Sequence, residues 1–176
     1  LEIDLLIIDD GSSDSTVSIC EDYQTKYNFI RLIALEKNMG LDYAYLKCIL
    51  NCNADYLWII GHDDFILEGA MEKVFNKIED GNDAIYVNFG VYDTLQKAVV
   101  NEGWINPPES SLINKSEFIE KVGLAFSFIS SMVFKVGSIN KKALVEIPAY
   151  NWAPTLNAIS ITADSKFAII SSSVAS

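Results

Sequence analysis

Basic side chains are scarce in this sequence. Its 176 residues include 13 lysines and arginines against 24 aspartates and glutamates, and the net charge is −11. A chain without a basic surface gains little from counterion release, so binding to nucleic acid or to an anionic membrane surface is not expected. A small phosphate-bearing ligand remains compatible with the acidity, because a bound divalent cation reverses the local charge.

Cysteine is also rare. The three cysteines are Cys20, Cys48 and Cys52, and the last two are spaced i, i+4 in a predicted helix. We expect all three to be small, buried apolar residues of a protein in a reducing compartment. Zinc or redox chemistry is the alternative, but no Cys-x-x-Cys spacing or neighbouring histidine supports it.

Long apolar runs are absent. No stretch of about 18 apolar residues and no charged-then-apolar leader occurs, so neither a membrane-spanning helix nor a signal peptide is predicted. These absences predict a cytoplasmic protein, which segments outside this chain could attach to the inner face of a membrane. Because the chain opens directly on a predicted central strand, we expect the natural protein to begin earlier, with another strand and helix.

Predicted strands and helices alternate along the chain. Apolar runs predict strands at 5–8, 30–35, 56–60, 84–92, 131–136 and 166–170. Helical spacing of apolar residues predicts helices between most of these strands and a short helix at 140–145, while Asn114 and Glu117 are placed to form a capping box. The alternation predicts one Rossmann-like α/β domain over residues 1–176, with an open, mostly parallel sheet flanked by helices.

Two pairs of adjacent aspartates follow predicted strands. Asp9 and Asp10 follow the first strand, and Asp63 and Asp64 follow the strand at 56–60. Ligands of open α/β sheets bind beyond the carboxyl ends of the strands, so the two pairs together predict a metal-assisted nucleotide site.

The first pair has two interpretations. The Asp10 carboxylate could accept a hydrogen bond from a base N–H. The turn at Ser12 and Ser13, with the helix N-terminus that follows it, could bind polar groups nearby. Alternatively, Asp9, Asp10 and Asp14 only cap that helix and form an Asx turn.

The second pair supplies hard oxygen ligands suited to Mg²⁺ or Mn²⁺. The alternative is a solvated helix N-terminus that favours acidic residues through its dipole. His62, the only histidine, precedes the pair. It could touch metal or sugar, or be a loop residue with an ordinary hydrogen bond.

Three segments carry a resemblance to a known family. They are residues 7–16, Asn38-Met39-Gly40-Leu41-Asp42 and residues 54–64, which read Ala-Asp-Tyr-Leu-Trp-Ile-Ile-Gly-His-Asp-Asp. In order and spacing they resemble the signatures of family-2 glycosyltransferases with the A-type nucleotide-sugar fold. The second and third segments are most similar to the bacterial branch that includes abequosyltransferase-like enzymes. The strong likeness covers about residues 3–80, and the family's first strand lies outside this chain.

The resemblance implies a role for each matching residue. Asp10 would contact the nucleotide base, with Asp9 supporting that turn, Asp63 would face the ribose or donor sugar, and Asp64 would bind Mn²⁺ or Mg²⁺. Ser12 is counted among the nucleotide-sugar-binding residues. His62 stands where the family usually has an acid, and it is counted here among the donor-binding residues. The resemblance also implies a donor-binding half at 1–93 and an acceptor-side half at 94–176.

Inverting sugar transfer needs a carboxylate base, and the family's usual Glu-Asp pair is missing from the second half. Asp93, at the end of the predicted 84–92 strand, is the first candidate, with Glu109 and Glu146 behind it. Each could equally be an ordinary surface acid. Tyr150 and Trp152 could stack on an acceptor sugar or serve as core or lid residues.

These observations predict a metal-dependent glycosyltransferase. It would bind a nucleoside-diphosphate sugar and transfer the sugar, with inversion, to a hydroxyl of a glycan or lipid-linked acceptor in bacterial surface polysaccharide synthesis. Two alternatives remain open: a non-catalytic domain that binds sugar nucleotides, and a Mg²⁺-dependent signalling receiver domain.

Overall fold

The chain folds into two compact units. A computed structural model describes residues 2–93, 95–142, 161 and 164–175. One unit comprises Leu1–Ala54 with Lys141–Ala153, and the other comprises Asp55–Asn140 with Pro154–Ser176. Each unit has its own sheet. These units are defined by packing, whereas the predicted donor-binding and acceptor-side halves are defined by function. The two halves stay a prediction.

The first unit is a β-α-β-α arrangement. Its elements are β1 (Leu5–Asp9), α1 (Thr16–Lys26), β2 (Ile30–Ala34) and α2 (Leu41–Asn51). β1 and β2 pair in parallel, from Leu5 beside Ile30 to Asp9 beside Ala34. α2 buries Tyr45 and Ile49, which lie one turn apart on the same face of the helix. Because β1 and β2 are parallel, the loops that follow them emerge at the same edge of this sheet.

The second unit contains a five-stranded sheet. Its elements in chain order are β3 (Tyr56–Trp58), α3 (Ala70–Glu79), β4 (Ala84–Phe89), β5 (Val91–Asp93), β6 (Ala98–Asn101), β7 (Ser110–Ile113), α4 (Lys115–Val122), β8 (Met132–Lys135) and β9 (Phe167–Ala175). The strand order is β3-β8-β4-β9-β7. β8 is antiparallel to β3 and to β4, β9 is parallel to β4, and β7 is antiparallel to β9. Consequently β3, β4 and β9 share one direction, and β3 and β4 end at the edge where β8 begins.

Helices cover both faces of this sheet. Ala70 and Val74 of α3 pack on one face in a cluster whose strand members are Ile85, Val87, Val133, Ala168 and Ile170. On β9, Phe167 stacks on Phe118 of α4 with ring centroids 4.6 Å apart. Because successive strand residues point to opposite faces, Phe167 and Ala168 place α4 and α3 on opposite sides. The predicted α/β class, with a sheet flanked by helices, is confirmed.

The prediction of one strand over 84–92 is wrong. β4 ends at Phe89, and Val91–Asp93 instead pairs with β6 as a separate antiparallel hairpin. All of β4 is buried, whereas Val91 is exposed and Asp93 is half-buried. The apolar pattern continues across Gly90, so periodicity alone does not reveal the change of sheet.

Several smaller predictions also have outcomes. The Asn114 side chain accepts a hydrogen bond from the Glu117 backbone N–H at 3.0 Å, which confirms the predicted cap of α4. Of the short helix predicted at 140–145, residues 143–145 lie outside the described part. No helix among the described residues is long and apolar enough to cross a membrane.

The three cysteines are free and half-buried. Burial raises the pKa of Cys48 to about 11. A thiol with a raised pKa is a poor nucleophile and metal ligand, so Cys48 acts as a small apolar side chain in α2.

Candidate functional site

The first acid loop, residues 9–14, is organised by Asp9. Its Oδ1 accepts hydrogen bonds from the backbone N–H groups of Gly11 at 3.1 Å and Ser12 at 2.9 Å, and its Oδ2 accepts one from the Ser12 hydroxyl at 2.5 Å. These bonds, led by the Ser12 hydroxyl, lower the pKa of Asp9 despite the opposing effect of burial. Asp9 is only 6% exposed. Asp9 and Ser12 therefore hold the loop in shape.

Asp10 joins this loop to the turn after β2. Its Oδ1 accepts the backbone N–H of Met39, and its Oδ2 accepts that of Gly40, both at 2.8 Å. A carboxylate has about four lone-pair sites, so two occupied sites leave capacity for a further donor. Asp10 thus has a structural contact and can still accept a hydrogen bond from a ligand.

Asp14 forms the Asx turn that the sequence left open, directly before the N-cap residue Ser15. Its Oδ1 accepts the backbone N–H of Thr16 at 2.9 Å and the Thr16 hydroxyl at 2.6 Å. This contact is an Asx turn at the start of α1.

Gly11 lies close against the backbone of the turn after β2. Its φ is +79°, and a Cβ built on it would lie 2.4 Å from the carbonyl carbon of Lys37 and 2.6 Å from the backbone nitrogen of Asn38. Backbone cannot yield as a flexible side chain does. Gly11 therefore allows the first acid loop to pack directly on the turn that Asp10 holds.

We expect Gly11→Ala to destabilise the protein by about 2–5 kcal/mol, from left-handed backbone strain together with overpacking. Gly81→Ala is the matched control, because Gly81 has φ +87° but its added Cβ would meet nothing within 4 Å. Urea unfolding of both variants measures the difference. If Gly11→Ala costs no more than Gly81→Ala, the close packing of the two loops is wrong.

The second acid loop, residues 61–64, is anchored through Ser130. The Ser130 hydroxyl donates to Oδ2 of Asp64 at 2.6 Å and accepts the Gly61 backbone N–H at 2.8 Å. The Trp58 indole N–H donates to the Ser130 carbonyl at 2.8 Å. Ser130 is fully buried. One side chain just before β8 thus fixes the Asp64 carboxylate beyond the end of β3.

Gly61 lets the two carboxylates fold back over the loop. A Cβ on Gly61 would lie 2.7 Å from Oδ2 of Asp64 and 3.2 Å from Oδ1 of Asp63. The Asp63 and His62 side chains are 79% and 98% exposed, and His62 Nδ1 lies 3.9 Å from Asp63 Oδ1. At such exposure this contact stabilises the loop little. Asp63 and Asp64 therefore share one small surface, while His62 projects into solvent.

The carboxylates suit a partly formed metal site. No group of three or more histidine, cysteine, aspartate or glutamate side chains is gathered for a metal among the described residues. Mg²⁺ keeps water and is commonly bound by one or two carboxylates together with substrate phosphates. Asp63 and Asp64 fit that donor set, and the Ser130 hydrogen bond engages only Oδ2 of Asp64.

Asp93, the first candidate base, is the last residue of β5, directly before the turn of the β5–β6 hairpin. Its Oδ1 accepts the backbone N–H groups of Leu95 at 2.8 Å and Gln96 at 2.9 Å, and its Oδ2 accepts the Gln96 side-chain amide at 2.9 Å. These bonds lower the pKa of Asp93, and the bond from the Gln96 backbone N–H has the largest effect. The preceding Tyr92 packs edge-on against Phe65, with ring centroids 5.1 Å apart. Because Phe65 follows Asp64, the hairpin lies beside the second acid loop.

Glu109 is engaged elsewhere. One oxygen pairs with the Lys77 ammonium at 3.1 Å, and the other accepts the backbone N–H of Ser171 at 2.9 Å and its hydroxyl at 3.1 Å. Burial raises the pKa of Glu109, but the Ser171 and Lys77 contacts outweigh it and leave the pKa lowered. Glu109 thus ties α3 to β9. The other candidates, Glu146, Tyr150 and Trp152, lie outside the described residues.

Ser130 is the site residue that sequence reasoning missed. Its partner Asp64 is 66 positions away. The local segment, Phe126 to Ser131, is an apolar run with hydroxyls. Only the pairing of β8 with β3 brings Ser130 to Asp64, and no local pattern indicates that pairing.

The chain is similar to curated glycosyltransferases. It is 27% identical over 142 residues to the cholesterol galactosyltransferase of Borreliella burgdorferi, a match that covers 80% of this chain and 39% of that protein. It is 23% identical over 148 residues to the abequosyltransferase RfbV of Salmonella typhimurium, covering 77% of this chain and 44% of the relative. The chain therefore spans less than half the length of both relatives.

Solved structures with the same fold include S. aureus TarS, residues 1–349. The TarS complex with UDP matches with a TM-score of 0.65 at 15% identity, over 98% of this chain and 50% of that chain. The complex with UDP-GlcNAc matches with a TM-score of 0.66 at 16% identity, over 98% and 48%. At these identities the likeness establishes the fold alone, and it agrees with the fold predicted from the sequence.

A sequence profile of glycosyl transferase family 2 matches residues 1–133. The matched region is more than half of the chain, and it contains both acid loops and Ser130. The match confirms the resemblance carried by residues 3–80 and extends it as far as β8. The chain belongs to glycosyl transferase family 2.

Proposed function

We propose that this protein transfers a sugar from a nucleoside-diphosphate sugar to an acceptor hydroxyl, with a divalent metal and with inversion, in the synthesis of a bacterial surface glycan. The observation that carries the proposal is the second acid loop, where Asp63 and Asp64 converge over Gly61 and buried Ser130 holds Asp64. A paired carboxylate surface at the end of a strand is suited to a metal–diphosphate complex.

The first acid loop supports a nucleotide-binding role. Asp10 can accept a further hydrogen bond, such as one from a base N–H, and the Asp9–Ser12 contacts prevent the loop from rearranging. TarS, which shares the fold, has been solved with UDP and with UDP-GlcNAc. As the family resemblance implies, Asp10 would face the base, and Asp63 would face the ribose or the donor sugar.

Asp64 would hold Mn²⁺ or Mg²⁺. The metal, when bound, supplies a Lewis acid that stabilises the negative charge of the leaving diphosphate. The acceptor oxygen attacks the anomeric carbon as the bond to the diphosphate breaks, and a carboxylate of the protein takes the hydroxyl proton. The task of Ser130 is to keep one oxygen of Asp64 engaged, so that the other oxygen points consistently at the ligand.

Metal and nucleotide are expected to bind together, because Asp64 alone supplies too few ligands for either ion. Calorimetry on the complete protein would compare uridine, guanosine and cytidine diphosphates in Mn²⁺ with the same titrations in EDTA. At least one diphosphate should bind in Mn²⁺ and lose most of its affinity in EDTA. Tight binding that is indifferent to EDTA contradicts the metal role.

A non-catalytic sugar-nucleotide binder remains the second candidate. His62 replaces the acid usual in the family, and the usual pair of acids is absent from the second half of the sequence. Such a protein would bind the diphosphate in Mn²⁺ but neither hydrolyse nor transfer the donor sugar. Membership of glycosyl transferase family 2 removes the support for a signalling receiver domain.

A further inference from the structure

An exposed tryptophan lies just beyond the end of β4. Trp104 is 57% exposed although it is one of the largest apolar side chains. Its ring stacks on Phe89 with ring centroids 5.6 Å apart and an interplanar angle of 17°. The ring of Phe89 in turn packs on that of Phe128, with ring centroids 4.1 Å apart. The buried Phe89 ring therefore lies against the indole, and more than half of the Trp104 residue is open to solvent.

The backbone around Trp104 is firmly held. The backbone N–H of Trp104 donates to the backbone carbonyl of Phe89 at 2.6 Å. The Asn88 side chain, which is 1% exposed, donates to the carbonyls of Ile105 at 2.8 Å and Ser171 at 2.6 Å. At Gly103 a Cβ would lie 2.8 Å from this same amide nitrogen of Asn88. The buried Asn88 side chain thus bonds one neighbour of Trp104, Ile105, to the sheet and lies close against the other, Gly103. The segment that carries the exposed ring is therefore held in place.

Trp104 shares a sheet edge with the second acid loop. β3 and β4 are both antiparallel to β8, so they end where β8 begins. Ser130, which holds Asp64, lies two residues after Phe128, which packs on Phe89 beneath Trp104. A continuous set of contacts therefore links the carboxylate pair to the exposed indole within one unit.

We propose that Trp104 is a stacking platform for a pyranose ring of the acceptor. This inference rests on the proposed transferase function and adds that the acceptor is a carbohydrate recognised beside β4. An indole pairs a broad apolar face with a polar N–H, which suits the C–H face of a sugar and its hydroxyls. Pre-ordering of the ring by Phe89 and Asn88 reduces the entropy lost on binding.

The test uses the complete protein with Mn²⁺ and the diphosphate that binds best. Saturation-transfer NMR with methyl pyranosides of glucose, galactose, mannose, rhamnose and N-acetylglucosamine should detect binding of at least one sugar. Trp104→Ala should weaken that binding about tenfold, while Trp104→Phe keeps most of it. Leu124→Ala is the control, because Leu124 is 71% exposed and lies in the short helical turn at Gly123–Ser127.

The outcomes separate this inference from the transferase proposal. If the wild-type protein binds no diphosphate and hydrolyses no donor, the transferase proposal fails first. If diphosphate binds but no pyranoside does, or if Trp104→Ala binds pyranosides as the wild type does, the platform is wrong. If Trp104→Ala instead abolishes binding to phosphatidylcholine vesicles containing cholesterol, the surface recognises lipid and the carbohydrate assignment is overturned. Thermal unfolding of each variant must match the wild type within a few degrees.

Discussion

Asp64→Asn is expected to lower turnover about 100-fold or more while leaving the protein folded. The substitution removes the charge that would hold the metal, and metal stabilisation of a leaving group amounts to several kcal/mol, at about 1.4 kcal/mol for each tenfold in rate. An asparagine that turns its oxygen toward Ser130 keeps the hydroxyl contact that positions residue 64. Steady-state transfer rates across Mn²⁺ concentrations, with circular dichroism to check the fold, measure the effect.

Two further variants make this expectation specific. Glu79→Gln, an exposed acid at the end of α3, removes the same charge from the same unit and should leave turnover unchanged. Ser130→Ala keeps the Asp64 charge but removes its anchor, so it should weaken Mn²⁺ affinity about 10–100-fold, as is typical for partners of metal ligands. If Asp64→Asn unfolds the protein or retains near-normal turnover, Asp64 does not have the proposed role.

The features that could be predicted from sequence are local. The Leu-Ile run of β1 followed by Asp9 and Asp10, the cap of α4 by Asn114 and the strand at β8 each depend on a few adjacent residues. Loops emerge where strands end, so the apolar runs were enough to place both acid loops at strand ends. The family resemblance then supplied roles for residues whose types alone left alternatives open.

The features that could not be predicted depend on pairing between distant segments. The insertion of β8 between β3 and β4 brings Ser130 to Asp64. Glu109 is a further candidate base after Asp93 in the sequence, but its contacts with Lys77 and Ser171 arise only when α3 and β9 are packed together. Neither apolar periodicity nor spacing encodes such contacts, because their partners lie tens of residues apart.

Asp93→Asn is expected to keep donor affinity and to lower turnover about 10²–10⁴-fold, the usual cost of losing a general base. Asp93 lies in a hairpin whose Tyr92 packs against Phe65, the residue directly after the second acid loop. Its lowered pKa keeps the carboxylate ionised at neutral pH and ready to accept a proton. The same hydrogen bonds weaken it as a base, so we expect a loss near the lower end of this range.

Asparagine is a clean replacement at this position. Both backbone donors, Leu95 and Gln96, bond to Oδ1 of Asp93, and an asparagine oxygen can keep both bonds. Only the bond from the Gln96 side chain to Oδ2 must change, and that amide can turn its own oxygen toward the new N–H. Gln96→Ala is the matched control, since it removes this bond and leaves the carboxylate. A role confined to the hairpin turn predicts that Gln96→Ala and Asp93→Asn have similar small effects.

Single-turnover rates and diphosphate affinities of the variants then locate the base. A large loss in Asp93→Asn with normal Mn²⁺-dependent diphosphate binding assigns the proton transfer to Asp93, whereas normal turnover in that variant places the base elsewhere. Glu109→Gln and Glu146→Gln extend the comparison to the other two candidates, with unfolding measured for Glu109→Gln because it disrupts the Lys77 ion pair. If none of the three changes turnover, and the wild type neither hydrolyses nor transfers a donor sugar, a protein that only binds sugar nucleotides explains the acid loops better than an enzyme does.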